Sequence, residues 1–313
     1  MLTYLIILLD DTSVSYCHYE VATEKRLMPL ETLRAGVIFA MKENLNVQFI
    51  YPDYELPIDY EKIIESIDHI KIKTSTQKEK TDIVILKDWD DCANNFIDGA
   101  VYTIHASRIE LKENLDKVKT ILNKVGRLNI ILTDIENFKD KETSEYSSIL
   151  SELSDRLIEL FTIGKTVQLN LLTDRIFLTE MNNCNAGDSN ITLAPNGKFY
   201  ICPAFYYCNP EDSVGNLTDG LNIKNHQLLR LDHAPICRHC DAFQCKRCVW
   251  LNNKLTSDMN TPSHQQCVVA HLERNASRNL LLKMKERGIQ LRGTHDIEEI
   301  NYLDPFNNYK QWK

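Results

Sequence analysis

The sequence predicts an α/β protein in which a parallel, partly barrel-like sheet is followed by a small cysteine-rich domain with a C-terminal helix. Short apolar runs alternate with helical patterns over residues 1–180, which is typical of strands joined by crossover helices. Near Met181 the helical patterns give way to turn residues, and eight of the ten cysteines lie in residues 184–267. We therefore expect one domain over 1–180 and a second over 181–313.

The expected elements of the first domain are six strands and four helices. The strands are Tyr4–Leu9, Val47–Tyr51, Ile83–Leu86, Val101–His105, Leu128–Leu132 and Val167–Leu172. The helices are Leu30–Lys42, Tyr60–Ser66, Lys112–Val125 and Ser144–Ile163. Ligands in such folds bind at the carboxyl ends of the strands, so a functional site is expected there.

The second domain carries one hairpin signal and one helix signal. Runs at Ile191–Leu193 and Lys198–Ile201 flank Pro195-Asn196-Gly197, and Asn-Gly favours a tight turn between two strands. The capping-box pattern from Ser263 to Gln266 predicts a helix over Gln265–Arg287, with Cys267 in its first turn.

Composition excludes several classes of function. With 43% hydrophobic and 26% charged residues the chain is typical of a soluble globular protein, and its formal charge of −8 disfavours a nucleic-acid partner. No segment is long enough to span a membrane, and the apolar start lacks the features of a signal peptide. We expect a cytoplasmic protein whose thiols stay reduced, because disulfides are rare in that compartment.

Reduced cysteines at this spacing predict a metal or cluster site. The core reads C-R-H-C-D-A-F-Q-C-K-R-C, and two C-x-x-C pairs can each direct two thiolates at one centre. The candidate ligands are Cys184, Cys202, Cys208, Cys237, Cys240, Cys245, Cys248 and Cys267. Spacing alone leaves two alternatives open: iron–sulfur clusters, or one zinc ion held by Cys237, Cys240, Cys245 and Cys248. His239 and His264 are alternative ligands.

The segment from Cys184 to Cys267, with C-x12-G-x4-C, the four-cysteine core and a late cysteine, resembles the SPASM domain. This domain is the cysteine-rich extension of many peptide-modifying radical S-adenosylmethionine enzymes. The resemblance implies one [4Fe–4S] cluster on Cys237, Cys240, Cys245 and Cys267. It implies a second cluster on Cys184, Cys202 and Cys248, for which the spare cysteine nearby is Cys208. On this resemblance we favour iron–sulfur over zinc.

The N-terminal half lacks the motifs that usually accompany such a domain. A C-x3-C-x2-C motif is expected after the first strand, but the three positions hold Asp10, Val14 and Cys17. The Gly-rich turn that binds the amino group of the cofactor is replaced by F-I-Y-P-D-Y-E-L-P, and the chain has no Gly-Gly pair. We therefore expect no S-adenosylmethionine and no radical chemistry.

This combination is similar to the CXXX-repeat peptide maturases. The resemblance rests on L-D-D-T-S-V-S-Y-C-H-Y-E, N-C-N-A-G, L-A-P-N-G-K-F-Y-I-C-P-A-F and the cysteine core. It implies maturation of a ribosomally made precursor peptide with repeated cysteines, and a second modification protein is a candidate partner. The alternatives are a non-catalytic scaffold that binds the precursor, for example by strand addition at a sheet edge, and a zinc-stabilised regulatory protein.

Catalytic residues are not identified by the sequence. Cys17 and His18 at a strand end could supply a thiolate and a nearby base, although a structural role is commoner. Asp10 and Asp11 could bind a cation, although capping or solvent exposure is commoner. Four further polar residues follow predicted strands and are weaker candidates; these are His105, Asp134, Glu136 and Asp174. Cys92 is expected to be a buried apolar cysteine.

Overall fold

The structure, a computed structural model, describes residues 2–14, 16, 24–74, 81–93, 96–245 and 248–297. The chain forms two compact units, and each is built from two stretches of sequence. The first unit comprises Met1–His105 and Cys184–Arg230, and the second comprises Ala106–Asn183 and Leu231–Lys313. Cys17 and His18, and the side chain of Cys92, lie outside the described residues.

The first unit is built on a mostly parallel sheet. Its strands are β1 (Tyr4–Leu8), β2 (Asn46–Ile50), β3 (His69–Thr74), β4 (Ile83–Leu86), β5 (Val101–Ala106), β8 (Asn190–Leu193) and β9 (Phe199–Tyr200). Their order is β5-β4-β3-β2-β1-β8-β9, and every pair is parallel except the β8–β9 hairpin. The unit also contains α1 (Leu30–Lys42), α2 (Ile58–Ile64), α7 (Pro203–Cys208) and the short ribbon of β10 (Gly215–Asn216) and β11 (Gly220–Leu221).

Helix α1 packs closely on the centre of this sheet. Leu5, Ile7 and Phe49 on the strands are fully buried in one cluster with Leu33 of the helix. Gly36 faces β8, where an added Cβ atom would lie 2.5 Å from Leu193 Cδ2. The glycine therefore permits the close approach of α1 to the sheet.

The second unit is mainly helical. It contains the parallel pair β6 (Arg127–Leu132) and β7 (Gln168–Leu169) and the helices α3 (Arg108–Glu113), α4 (Leu115–Leu122), α5 (Asp140–Thr162), α6 (Asp174–Phe177), α8 (Val249–Thr256) and α9 (His264–Glu286). The two longest helices, α5 and α9, pack against each other. None of the described helices is long and apolar enough to cross a membrane.

Most predicted elements are confirmed. Helix α1 has the predicted bounds, and the hairpin and α9 lie within one or two residues of prediction. The capping box that joins Ser263 and Gln266 is formed, and it places Cys267 in the first turn of α9. The helix predicted over Lys112–Val125 instead begins at Arg108 and is interrupted at Asn114, so it becomes α3 and α4. Strand β3 and helices α7 and α8 were not predicted.

Both strands expected to offer a free edge are already paired. The carbonyl of Phe199 on β9 accepts a hydrogen bond from the Val214 N–H at 2.7 Å, so the ribbon covers that edge. On β7 the N–H of Leu169 donates to Thr173 Oγ1 at 2.9 Å, and its carbonyl accepts from the Thr173 N–H at 2.8 Å. Strand addition at β7 or β9 would therefore have to displace bonds that the described residues make themselves.

Candidate metal centre

Four cysteines converge on one pocket in the second unit. Cys237, Cys240, Cys245 and Cys267 line it together with His271. The remaining wall is apolar or uncharged and is made by Met181, Ile236, Pro262, Gln266 and Ala270. Thiol groups gathered in a largely apolar pocket form a donor set that suits zinc or an iron–sulfur cluster.

Local structure brings these thiols to the pocket. Cys237 begins a 3-10 turn, Cys237–His239, whose end is fixed by the Cys240 N–H donating to the Cys237 carbonyl at 3.1 Å. Cys267 is delivered by the capping box of α9. The Gln266 side chain in the same turn donates to Asn252 Oδ1 of α8 at 2.9 Å, and both residues are buried. The helix start is therefore held in place independently of any metal.

Burial makes two of these thiols weak acids in the protein alone. It raises the pKa of Cys240 to about 11, against a smaller lowering effect of the Ala242 N–H, which donates to Cys240 Sγ at 3.4 Å. Burial likewise raises the pKa of Cys267 to about 12, and the neighbouring Cys240 adds to this effect. A cation would have to displace protons from these groups in order to bind thiolates.

One group of three potential donors among the described residues has all its ligand atoms within 4.8 Å of one another: Cys240, Asp241 and His271. Asp241 is already engaged, because its Oδ2 accepts a hydrogen bond from Arg274 Nη1 at 2.6 Å and both side chains are buried. Asp241 also does not line the cysteine pocket, whereas all four cysteines do. The four thiols are thus the better donor set for a metal centre there.

A second buried ion pair supports the same loop. Arg175 donates to Glu273 Oε2 of α9 at 2.6 Å and to the carbonyl of Gln244 at 2.7 Å. Tyr146 of α5 donates to the other carboxylate oxygen of Glu273 at 2.7 Å. The side chains of Arg175, Glu273 and Tyr146 are all buried, so the backbone just before Cys245 is tied into the interior of the unit.

The other predicted ligands are distributed over both units. Cys184, Cys202 and Cys208 belong to the first unit, where Cys202 precedes α7 and is buried while Cys184 and Cys208 are exposed. Cys248 belongs to the second unit and directly precedes α8. The second cluster on these residues therefore stays a prediction.

The suggested histidine ligands are both exposed, whereas the histidine at the pocket is one that the sequence analysis missed. His239 and His264 have exposed side chains. His271 lies four residues after Cys267 on the same helix, a spacing that places both on one helix face. That spacing is the sequence signal that could have identified it.

At the carboxyl ends of the strands, Asp10 and Asp11 are buried rather than exposed. Asp10 Oδ1 accepts a hydrogen bond from the Thr12 N–H at 2.9 Å, which is the capping contact expected as the alternative to exposure. Asp10 also accepts a hydrogen bond from Tyr54 at 2.8 Å, and Asp11 pairs with Arg26 at 2.8 Å and accepts from Tyr206. Burial, and then the Asp11 carboxylate, raise the pKa of Tyr206. Backbone, phenol and guanidinium groups therefore hold these carboxylates.

A pocket of about 320 Å³ opens beside this loop in the first unit. Its polar lining includes Thr12, Asp53, Lys87 and His105, and Lys87 Nζ lies 2.9 Å from Asp53 Oδ2. Val14, which occupies the position of the second motif cysteine, also lines it. The predicted placement of His105 at the strand ends is confirmed.

The other polar candidates belong to the second unit, and Asp134 and Asp174 among them have internal partners. Asp134 accepts a hydrogen bond from the backbone of Arg108 at 3.0 Å, and burial raises the pKa of its carboxyl group. Asp174 is paired with Arg127 at 2.7 Å. Both contacts give these carboxylates a structural role.

Comparison with solved structures identifies the fold. Hexahistidine-tagged anSMEcpe with bound AdoMet aligns with 91% of this chain and 99% of its own, at 15% identity and a TM-score of 0.61. Streptococcus suis SuiB bound to precursor peptide SuiA aligns with 66% of this chain and 61% of its own, at 14% identity and a TM-score of 0.38. BtrN in complex with AdoMet and 2-DOIA aligns with 69% of this chain and 78% of its own, at 10% identity and a TM-score of 0.24.

The first of these likenesses confirms the predicted α/β fold, while the other two are too distant to carry an argument. No protein-family model and no curated protein matches the sequence.

The expectation that the chain uses no S-adenosylmethionine is corrected by this comparison. The fold that covers nearly all of the chain is one that was solved with AdoMet bound. The exclusion was wrong because it treated the cysteine motif and the Gly-rich turn as the whole binding site. In α/β folds of this kind the strand ends themselves build ligand sites, and those strand ends are retained here.

Proposed function

We propose that this chain is a maturation component for a ribosomally made precursor peptide with repeated cysteines. We further propose that Cys237, Cys240, Cys245 and Cys267 hold a [4Fe–4S] cluster in it. The observation that carries the proposal is the convergence of these four thiols on one pocket, in a chain with the fold of radical S-adenosylmethionine enzymes. When bound, such a cluster supplies an electron-transfer centre, and the chain supplies thiolates, an apolar wall and a rigid helix.

The composition of the pocket favours this ligand set over the four-cysteine zinc site. The zinc alternative uses Cys248 as the fourth ligand, whereas the pocket wall includes Cys267 and does not include Cys248. Cys248 is left for the second cluster, for which we retain Cys184, Cys202 and Cys208 as the other proposed ligands. Anaerobic purification followed by iron, sulfide and zinc analysis distinguishes the two metals.

S-adenosylmethionine is the proposed small-molecule ligand of the first unit. The proposal rests on the fold shared with an AdoMet-bound protein and on the strand-end pocket at Asp53 and Lys87. The methionine part of AdoMet carries both an ammonium and a carboxylate, so an Asp–Lys pair offers one partner to each. The sequence has no C-x3-C-x2-C motif, so we propose that protein side chains, and not the iron of a cluster on that motif, contact AdoMet.

The precursor peptide is proposed to reach the metal centre through a second, larger pocket. This pocket, of about 450 Å³, shares Cys240 and Met181 with the cysteine pocket, and Arg238 and Phe243 also line it. Peptides commonly bind by strand addition, but the edges of β7 and β9 are occupied by bonds within the chain. A groove beside Cys240 is therefore the better supported entry.

Direct binding tests this proposal. A synthetic peptide with cysteine at every fourth position is titrated into the reduced, metal-loaded protein, and the same peptide with serine replacing each cysteine is the matched control. We expect saturable binding of the first peptide and much weaker binding of the second. Equal binding of both, or binding of neither, would contradict a role in maturing such a precursor.

A scaffold role and an enzymatic role are separated by reconstitution. The precursor is incubated with the metal-loaded protein, reductant and AdoMet, alone and together with a candidate modification enzyme. A mass change produced by this protein alone identifies an enzyme. A mass change that needs the second protein identifies a scaffold.

A further inference from the structure

Two nitrogen atoms of the protein lie within hydrogen-bond distance of the Cys240 sulfur. The backbone N–H of Ala242 donates to Cys240 Sγ at 3.4 Å, which is the usual contribution of a C-x-x-C loop. The second contact is unusual in origin, because His271 Nε2 lies 3.4 Å from the same sulfur and comes from helix α9, 31 residues away. Hydrogen bonds to the sulfurs of a cluster are one of the factors that set its reduction potential.

When Cys240 is bound to metal as a thiolate, the nitrogen that faces it must carry the proton. His271 Nε2 then lies between two hydrogen-bond acceptors, because it is also 4.0 Å from Asp241 Oδ1. An unprotonated Nε2 would place three acceptors together in a buried site, which is unfavourable. The geometry thus assigns the N–H to Nε2, where it serves as a donor.

The ring is held in this position by neighbouring ion pairs. Arg274, one turn further along α9, binds Asp241 at 2.6 Å and thereby fixes the residue that follows Cys240. His271 itself is only 2% exposed. Helix and loop are joined at two successive loop residues, so α9 cannot move away from Cys240 without breaking a buried ion pair.

We propose that His271 is a positioning residue of the metal centre, donating its Nε2–H to the thiolate of Cys240 and so stabilising the electron-rich, reduced state of the cluster. This inference rests on the proposed [4Fe–4S] centre. Histidine would then not be a ligand, because four thiolates complete the set and Nε2 points at a sulfur. Its presence raises the reduction potential of the cluster above the value that an apolar residue would give.

The test compares two substitutions with a matched control. His271→Gln keeps an N–H at about the same reach, His271→Leu removes it, and His264→Leu removes an exposed histidine from the same helix. Each protein is purified anaerobically, analysed for iron and sulfide, and titrated electrochemically. We expect a lower midpoint potential in His271→Leu, and values close to wild type in His271→Gln and His264→Leu.

Several outcomes would overturn the inference. One is an unchanged potential in His271→Leu that retains its full iron content. Another is loss of iron from both His271→Gln and His271→Leu but not from His264→Leu, because that result would make His271 a ligand. A wild-type protein without iron and sulfide would contradict the proposed cluster itself, and so separates the two failures.

A measurement on the unsubstituted protein covers the case in which His271→Leu does not fold. Protein labelled with 15N-histidine is reduced with dithionite and examined by pulsed EPR. A weak 15N coupling together with an exchangeable proton coupling, lost in D2O, supports a hydrogen bond from His271. A strong 15N coupling, which indicates direct ligation, or no coupling at all would overturn the inference.

Discussion

Glu273 of helix α9 and Arg175 of helix α6 form an ion pair 2.6 Å long in which the two side chains are 0% and 1% exposed. Arg175 uses the same guanidinium to hold the carbonyl of Gln244, the residue before Cys245. The pair therefore connects the helix that carries Cys267 and His271 to the loop that carries Cys245. Removing either partner would leave an uncompensated charge inside the unit.

Glu273→Ala is expected to destabilise the protein strongly, by about 3–5 kcal/mol, because Arg175 would remain buried without its carboxylate. Tyr146 would lose its acceptor as well. Denaturant unfolding of the metal-loaded protein measures this loss. The matched control is Asp155→Ala, which breaks the exposed pair with Lys283 on the same α5–α9 interface and should cost less than about 1 kcal/mol. Equal effects of both substitutions would refute the structural role.

The affinity of the protein for metal should rise with pH. It should keep rising above the pH range in which ordinary thiols ionise. Ordinary cysteines, with a pKa of about 8.5, are largely thiolate at pH 9 and would give little further gain. The pKa values of about 11 for Cys240 and about 12 for Cys267 mean that these thiols still carry protons there. Each proton that must leave makes the affinity rise by up to about tenfold per pH unit.

The reduced, metal-free protein is set to compete with a chelator for Zn²⁺ between about pH 7.5 and about pH 9.5. This competition measures how the Zn²⁺ affinity changes with pH. Zn²⁺ serves here as a probe of the four thiols. We expect the affinity to keep rising to the upper limit of the range, whereas a plateau near pH 9 would show that Cys240 and Cys267 are not buried weak acids.

AdoMet should bind to the first unit, and the substitution Lys87→Glu should lower the affinity for AdoMet. The substitution turns the ammonium–carboxylate pair with Asp53 into two carboxylates in the strand-end pocket. A loss of about tenfold or more is expected, equivalent to about 1.4 kcal/mol. Lys62→Glu is the control, because Lys62 forms a similar pair with Asp59 at 3.0 Å and does not line that pocket. Isothermal titration calorimetry with AdoMet alone measures both.

Absence of AdoMet binding by the wild-type protein would contradict the ligand proposed for the strand-end pocket. Identical affinities of Lys87→Glu and the wild type would instead show that AdoMet binds elsewhere in the chain.

The main elements of the fold were predictable because their patterns are local. Helix α1 has an apolar stripe of the right period, and the hairpin has Asn196-Gly197 with Gly197 at a φ of +77°. Strand β3 was missed although its sequence, H-I-K-I-K-T, alternates apolar and charged residues, a pattern that favours a strand. It is an internal strand, and Lys71 within it is buried and paired with Glu65.

The cysteine set was predictable from spacing and family resemblance, but its surroundings were not. Asp241, His271 and Arg274 meet because α9 packs beside a loop about 30 residues earlier in the chain. No local pattern reports such a contact. The buried state of Asp10 and Asp11 was likewise hidden, because their partners Tyr54 and Tyr206 lie far away in sequence.

The most direct test of the account is the iron content of two single substitutions purified anaerobically, Cys267→Ser and Cys248→Ser. Cys267 lines the pocket with Cys237, Cys240 and Cys245, whereas Cys248 does not. We expect Cys267→Ser to lose the iron, the sulfide and the absorbance near about 400 nm that belong to this centre. We expect Cys248→Ser to keep them and to lose only what the proposed second cluster contributes. The account would be contradicted by a Cys267→Ser protein that keeps its full iron and sulfide content. It would also be contradicted by a wild-type protein that contains zinc and loses that zinc when Cys248 is replaced by Ser.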